Sequence, residues 1–144
     1  MATNFSYRDL RIWQEAVDLA LDTYRVTAAF PKHELYGLTS QMRRAAVSIS
    51  SNIAEGKGHS SDGDFGRFLF HARGSLLELQ TQIVIASGLD YLTKEKAGSL
   101  TQNTDNIGRG LNGLIQAVRV KRGPAKPDRK SEQRTTNSDT QPHV

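Results

Sequence analysis

Apolar side chains recur at intervals of three and four along most of the chain, and no window alternates as a half-buried strand would. The first stretch opens at Ser6, an N-cap candidate. Asp9 stands three residues on to reach back as a capping box, and Phe5 and Leu10 flank the start as a hydrophobic staple. Leu10, Trp13, Val17, Ala20 and Tyr24 then share one predicted helical face, which ends before Phe30-Pro31. A second helix is predicted from Leu38 to Glu55, with Leu38, Met42, Ala45, Ala46, Ile49 and Ile53 inward and Gly56 and Gly58 as its stop. A third starts at Ser60 or Ser61, where Asp62 and Asp64 suit the positive end of a helix dipole. Its core stripe is Phe65, Leu69, Ala72, Leu76, Leu79, Ile83 and Ala86, up to Gly88. A fourth begins at Thr93 and carries Leu100, Ile107, Leu111, Leu114 and Val118.

Four amphipathic helices joined by short loops predict an all-α fold, an antiparallel up-down-up-down four-helix bundle over residues 1–121. Residues 122–144 are expected to form a disordered, polar and basic C-terminal tail. Three of the four prolines lie there, and residues 124–143 hold no Val, Ile, Leu, Met, Phe, Tyr or Trp.

Two further series stand beside the core stripes. Ile12, Leu19 and Val26 on the first helix, and Phe70, Leu77 and Val84 on the third, repeat every seven residues outside the expected core. Such a series widens a core face or makes a second apolar surface, and a monomer exposing that surface would associate. We expect these six residues to form a homo-oligomer interface. A polar series on the second helix, Gln41, Arg44, Ser48, Asn52 and Glu55, faces Arg67, His71, Ser75, Glu78 and Gln82 on the third. A hairpin folded near residue 59 brings Arg44 level with Glu78 and Glu55 level with Arg67. Because the charges balance, a partly buried polar network that fixes helix register is favoured over a ligand site.

Composition then narrows the chemistry. The absence of cysteine removes a disulfide framework, a thiolate-rich metal site and a cysteine nucleophile at once. Charged residues run through the first thirty positions and no segment is long and apolar enough for a membrane, so a cytoplasmic location is expected. The four histidines, His33, His59, His71 and His143, make no metal-ligand spacing. Gly108-Arg109-Gly110-Leu111-Asn112-Gly113 spells a dinucleotide fingerprint, but the apolar stripe of a helix runs through it. Gly56-Lys57-Gly58-His59 reads as an interhelical turn in preference to a phosphate cradle. No enzyme activity, metal or cofactor is expected.

The net charge of +4 is modest, but residues 93–121 contribute +3 of it and 32–60 another +2. The candidate nucleic-acid-binding residues are Arg8, Arg11, Arg43, Arg44, Lys57, Arg119, Lys121 and Arg122, with further basic residues in the tail. Up-down topology gathers Lys57, the Arg119–Arg122 cluster, Arg8 and Arg11 at one end of the bundle.

Three stretches carry a family resemblance. They are Phe5-x-x-x-Asp9-Leu10-x-x-Trp13-Gln14-x-Ala16, the run from Tyr36-Gly37-Leu38-Thr39-Ser40-Gln41-Met42-Arg43-Arg44-Ala45 to Asn52-Ile53-Ala54-Glu55-Gly56, and Phe68-Leu69-x-x-Ala72-x-Gly74-Ser75-Leu76-x-Glu78-Leu79 with Ile85-Ala86. The sequence there closely resembles the bacterial four-helix-bundle proteins encoded in 23S rRNA intervening sequences, distant kin of the accessory protein of diversity-generating retroelements. The resemblance spans roughly residues 5–92. It implies a homopentamer that contacts nucleic acid or a nucleic-acid enzyme, and no known catalytic activity. Ser50 stands where the family usually has proline, and His59 where arginine is common. The expected function is therefore that of a non-enzymatic, homo-oligomeric bundle contacting RNA or a ribonucleoprotein. The alternative is a protein-binding scaffold that docks a partner enzyme without touching nucleic acid.

Overall fold

The computed structural model describes residues 6–59 and 61–122, with 120–122 as backbone. Among these residues the chain forms four α-helices and no strand: α1 (Arg11–Thr27), α2 (Leu38–Gly58), α3 (Asp62–Gly88) and α4 (Lys94–Arg122). Short 3-10 turns at Tyr7–Asp9 and Lys32–Glu34 precede α1 and α2.

Cross-helix contacts fix the directions. Arg44 meets Glu78 and Ser48 meets Ser75 between α2 and α3, while Arg73 meets Asn112 and Gln80 meets Thr104 between α3 and α4. In each pair of helices one residue number rises as the other falls, so the neighbours run antiparallel. Ile12 against Gly110 closes the ring between α1 and α4. One pole therefore holds the start of α1, the end of α2, the start of α3 and the end of α4. The opposite pole is tied by the Phe30 and Tyr91 rings, 5.3 Å apart.

The core stripes expected for α2 and α3 are buried throughout, except that Leu38 is only partly covered. In α4, Leu100, Ile107, Leu111 and Val118 are buried, joined by Ile115 and Thr104, and Leu114 packs at the margin.

Helix α1 is turned relative to expectation. Its buried positions are Ala16, Leu19, Thr23 and Thr27, whereas Tyr24 is exposed and Trp13 lies at the edge. Two threonines can enter the core because their hydroxyls donate to carbonyls one turn back, Thr23 to Leu19 and Thr27 to Thr23, both at 2.7 Å. A reading by hydrophobicity puts those polar residues outside and rotates the stripe.

The ends differ too. Ser6 accepts from the Arg8 amide at 3.2 Å and Asp9 from the Ser6 amide at 3.0 Å, so the capping box exists. It caps the 3-10 turn, because extended backbone at Leu10 (ψ 121°) separates that turn from α1. Phe5, the other half of the expected staple, lies outside the described residues, as does Ser60. Gly56 does not stop α2, which runs to Gly58. It is buried, and a Cβ there would lie 2.6 Å from the Phe68 Cβ, so glycine serves a close helix crossing. Ser61 caps α3 by accepting from the Asp64 amide at 3.1 Å, and Thr93 caps α4 through the Lys96 amide at 3.2 Å. The expected tail falls, from residue 123 on, outside the described residues.

Candidate nucleic-acid interface

Aromatic residues at the pole where α1 begins hold cations on their faces. Arg8 lies over Tyr7 at 5.8 Å, Lys57 over Phe65 at 5.6 Å and Arg67 over Phe68 at 4.6 Å. Further along α3, Phe70 carries both Arg73 (5.8 Å) and, from α4, Arg119 (5.1 Å). A guanidinium lying over a ring keeps its N–H edge open, so such a cation is positioned without being neutralised. Arginines with free edges can donate to phosphate oxygens in a sequence-independent way.

Carboxylates temper part of this set. Arg11 is paired to Glu15 at 2.9 Å and Arg67 approaches Asp64 at 3.7 Å. Arg8, Lys57, Arg73 and Arg119 form no ion pair among the described residues. Lys121 and Arg122 belong to the last turn of α4 at this pole, and their side chains lie outside the described set. His59 stacks on Phe68 with ring centroids 5.0 Å apart and puts Nδ1 4.0 Å from Asp64.

Arg43 and Arg44 do not join this pole. Thirteen residues of helix separate Arg44 from Lys57, about 20 Å at the helical rise. Arg43 lies over the Tyr24 ring at 4.6 Å and donates through Nε to Thr27 Oγ1 at 2.9 Å, while Arg44 pairs with Glu78 at 3.0 Å. The sequence groups them with the other cations because it counts charge and does not see height along the bundle.

Between α2 and α3 the polar series is only partly joined. Besides Arg44–Glu78, the Ser48 and Ser75 hydroxyls are 2.9 Å apart and Asn52 Nδ2 donates to Ser48. The expected Glu55–Arg67 pair is absent, because Arg67 turns to Asp64 and to the Phe68 ring on its own helix. Gln41 is exposed and makes no side-chain hydrogen bond among the described residues. Gln82 is buried, donates to Glu78 Oε1 at 3.4 Å and leaves its own Oε1 unpartnered.

The six apolar interface candidates separate by helix. Leu19 is 1% exposed and belongs to the core, and Ile12 and Val26 pack against it, so the α1 half of the expected interface is corrected to core. The rotation of α1 is the reason. Phe70, Leu77 and Val84 do face outward, at 41, 54 and 71% exposure. A second apolar feature is not legible in the sequence pattern: a groove of about 500 Å³ on the α1–α2 face near the opposite pole, lined by Tyr24, Leu35, Tyr36, Val47, Ser40 and the two arginines. Likewise the gathering of His59 and Arg67 on Phe68, and the Arg73 contribution, do not follow from the sequence pattern. The only signal for them was the Phe-x-Phe spacing at Phe68 and Phe70 within a basic stretch.

The side of the bundle between α1 and α4 has the opposite character. A groove of about 300 Å³ there is lined by Glu15, Asp18 and Asp22 with Asn103 and Asn106. It repels polyanions. Among the described residues no group of three or more His, Cys, Asp or Glu side chains could hold a metal ion. No helix of the described residues is long and apolar enough to cross a membrane.

A sequence profile described as 23S rRNA-intervening sequence protein matches residues 8–113. The chain belongs to this family. No curated protein matches it. Among solved structures it is similar to a protein of unknown function from the S23 ribosomal protein family of Bacteroides thetaiotaomicron VPI-5482. That likeness has a TM-score of 0.68 at 20% identity and covers 73% of this chain and 95% of that one. At that identity the likeness concerns the fold. The family match extends through α3 into α4 as far as Gly113, further than the resemblance read from motifs alone.

Proposed function

We propose that the protein is a non-enzymatic, cytoplasmic homo-oligomer, a pentamer, which contacts RNA or a ribonucleoprotein through its basic pole. The observation that carries this reading is the set Arg8, Lys57 and Arg119, three cations seated on aromatic rings at one end of the bundle with no carboxylate partner among the described residues. The chain end adds Lys121 and Arg122. Symmetric assembly multiplies the effect, since five copies of a +4 chain carry about +20 and present five such poles together. The family description, which ties these proteins to sequences intervening in 23S rRNA, agrees with an RNA partner.

The test is retention of RNA by the full chain as salt rises from about 50 to 200 mM, over which phosphate-driven binding falls steeply. No retention at the low-salt end would overturn RNA contact. A second reading, a scaffold that docks a partner enzyme without nucleic-acid contact, is favoured by the exposed tyrosines of the α1–α2 groove, since Tyr and Arg dominate protein-binding hot spots. Enzyme capture that is indifferent to salt and to added RNA would select it.

A further inference from the structure

Among the described residues, most of the exposed large apolar side chains fall on two surfaces that differ in shape. One is a ridge on the outer side of α3. Phe70, at its near end, is capped by Arg73 and Arg119, but Leu77 and Val84 are bare, and Ile85 and Leu89 widen the ridge towards the helix end. Gly74, Thr81 and Gly88 alternate with the large residues along it, and nothing lies within 4 Å of the Cβ positions of the two glycines. The other is the shallow, open groove on the α1–α2 face, whose Tyr36 is 93% exposed. A tyrosine left so bare buries little of its ring in its own fold, yet it offers large contact area with little entropy to lose.

Charge distinguishes the two surfaces in the same sense as shape. The groove has no carboxylate among its lining residues; Arg44 there is already paired with Glu78, but Arg43 forms no ion pair among the described residues. The ridge ends beside exposed Asp90 and the C-terminal carbonyls of α3, the negative end of the helix dipole. Both surfaces lie towards the pole where α1 and α3 end. We infer that the α3 ridge of one copy seats in the Tyr24–Tyr36–Val47 groove of the next, a head-to-tail contact between unlike faces. This rests on the homo-oligomer proposed above and specifies how the copies meet.

One such contact covers both apolar surfaces and sets Asp90 against Arg43. Pairing α3 with α3 would instead bring like ridges together and leave Tyr36 in water. Because ridge and groove sit at similar height, a rotation about an axis along the bundle joins them without a step along that axis. Contacts of that kind close into rings and do not grow as filaments.

Three measurements test the contact on the full-length chain, with mass read by light scattering and helicity by circular dichroism. A ridge variant, Leu77→Asp with Val84→Asp, and a groove variant, Val47→Lys with Tyr36→Ala, are each expected to be folded and monomeric. Mixed in equal amounts they should form a species of twice the monomer mass, since one intact groove then meets one intact ridge. If the groove variant assembles as the wild type does, or if mixing restores nothing, the head-to-tail contact is overturned while the oligomer stands. A monomeric wild-type chain would overturn both. The cysteine-free background supplies a measurement that needs no disruptive substitution. Chains carrying only Val84→Cys and chains carrying only Tyr36→Cys, mixed and oxidised, should give the mixed disulfide dimer as the main product. A predominance of Cys-to-Cys dimers between identical Val84→Cys chains would refute the pairing.

Discussion

Gly56 of α2 and Phe68 of α3 cross so closely that a Cβ on the glycine would lie 2.6 Å from the phenylalanine Cβ. Neither atom can yield, since one is fixed by the α2 backbone and the other by α3. Gly56→Ala therefore gains helix propensity of about 1 kcal/mol and loses more to overpacking, for a net destabilisation of roughly 1–2 kcal/mol. Gly113→Ala makes the informative contrast. Nothing lies within 4 Å of its Cβ position, so it should stabilise α4 by up to about 1 kcal/mol. Urea denaturation of the two variants should give midpoints displaced in opposite directions.

Thr27 has two tasks where Thr23 has one. Both hydroxyls donate to a carbonyl one turn back, but Thr27 Oγ1 also accepts from Arg43 Nε. Thr23→Val should cost about 1 kcal/mol, and Thr27→Val more, about 1–3 kcal/mol, because a part-buried guanidinium loses its acceptor. Equal costs would show that the Arg43 bond contributes nothing.

The Arg44–Glu78 pair spans α2 and α3 at 3.0 Å with side chains 68% and 40% exposed. Water screens a pair of that kind. A double-mutant cycle with Arg44→Ala and Glu78→Ala should return a coupling below about 1 kcal/mol, shrinking further in high salt. Met42, Ala46, Ile49 and Leu76 of the same two helices are buried in the common core, where apolar burial outweighs a screened pair on the rim.

Charge removal separates the two groups of arginines. Replacing Arg119, Lys121 and Arg122 by alanine should lower RNA affinity and flatten the slope of log affinity against log salt by about 2, with no change in assembly. Arg43→Gln, on the far half of the bundle, should leave that slope unchanged. Filter retention over a salt series reads both variants.

The sequence by itself determined that the chain is a four-helix bundle. It placed the stripes of α2, α3 and α4, and it put the start of α3 at Ser60 or Ser61 and that of α4 at Thr93, because periodicity and capping depend on neighbours within four residues. It also carried the family, through runs such as the one from Tyr36 to Gly56. What it could not determine was any relation between helices that depends on rotation or height. Thr23 and Thr27 are core residues because their hydroxyls find carbonyls on their own helix, and that turned α1 until Leu19 faced inward. Gly56 reads as a stop until Phe68 is beside it. Arg67 reads as the partner of Glu55 until Asp64 and Phe68 compete for it. Arg43 reads as one more cation until Tyr24 and Thr27 hold it at the far half of the bundle. Local bonds fix a helix, but which face it buries is decided by the fit of side chains from other helices, and only the tertiary structure brings those together.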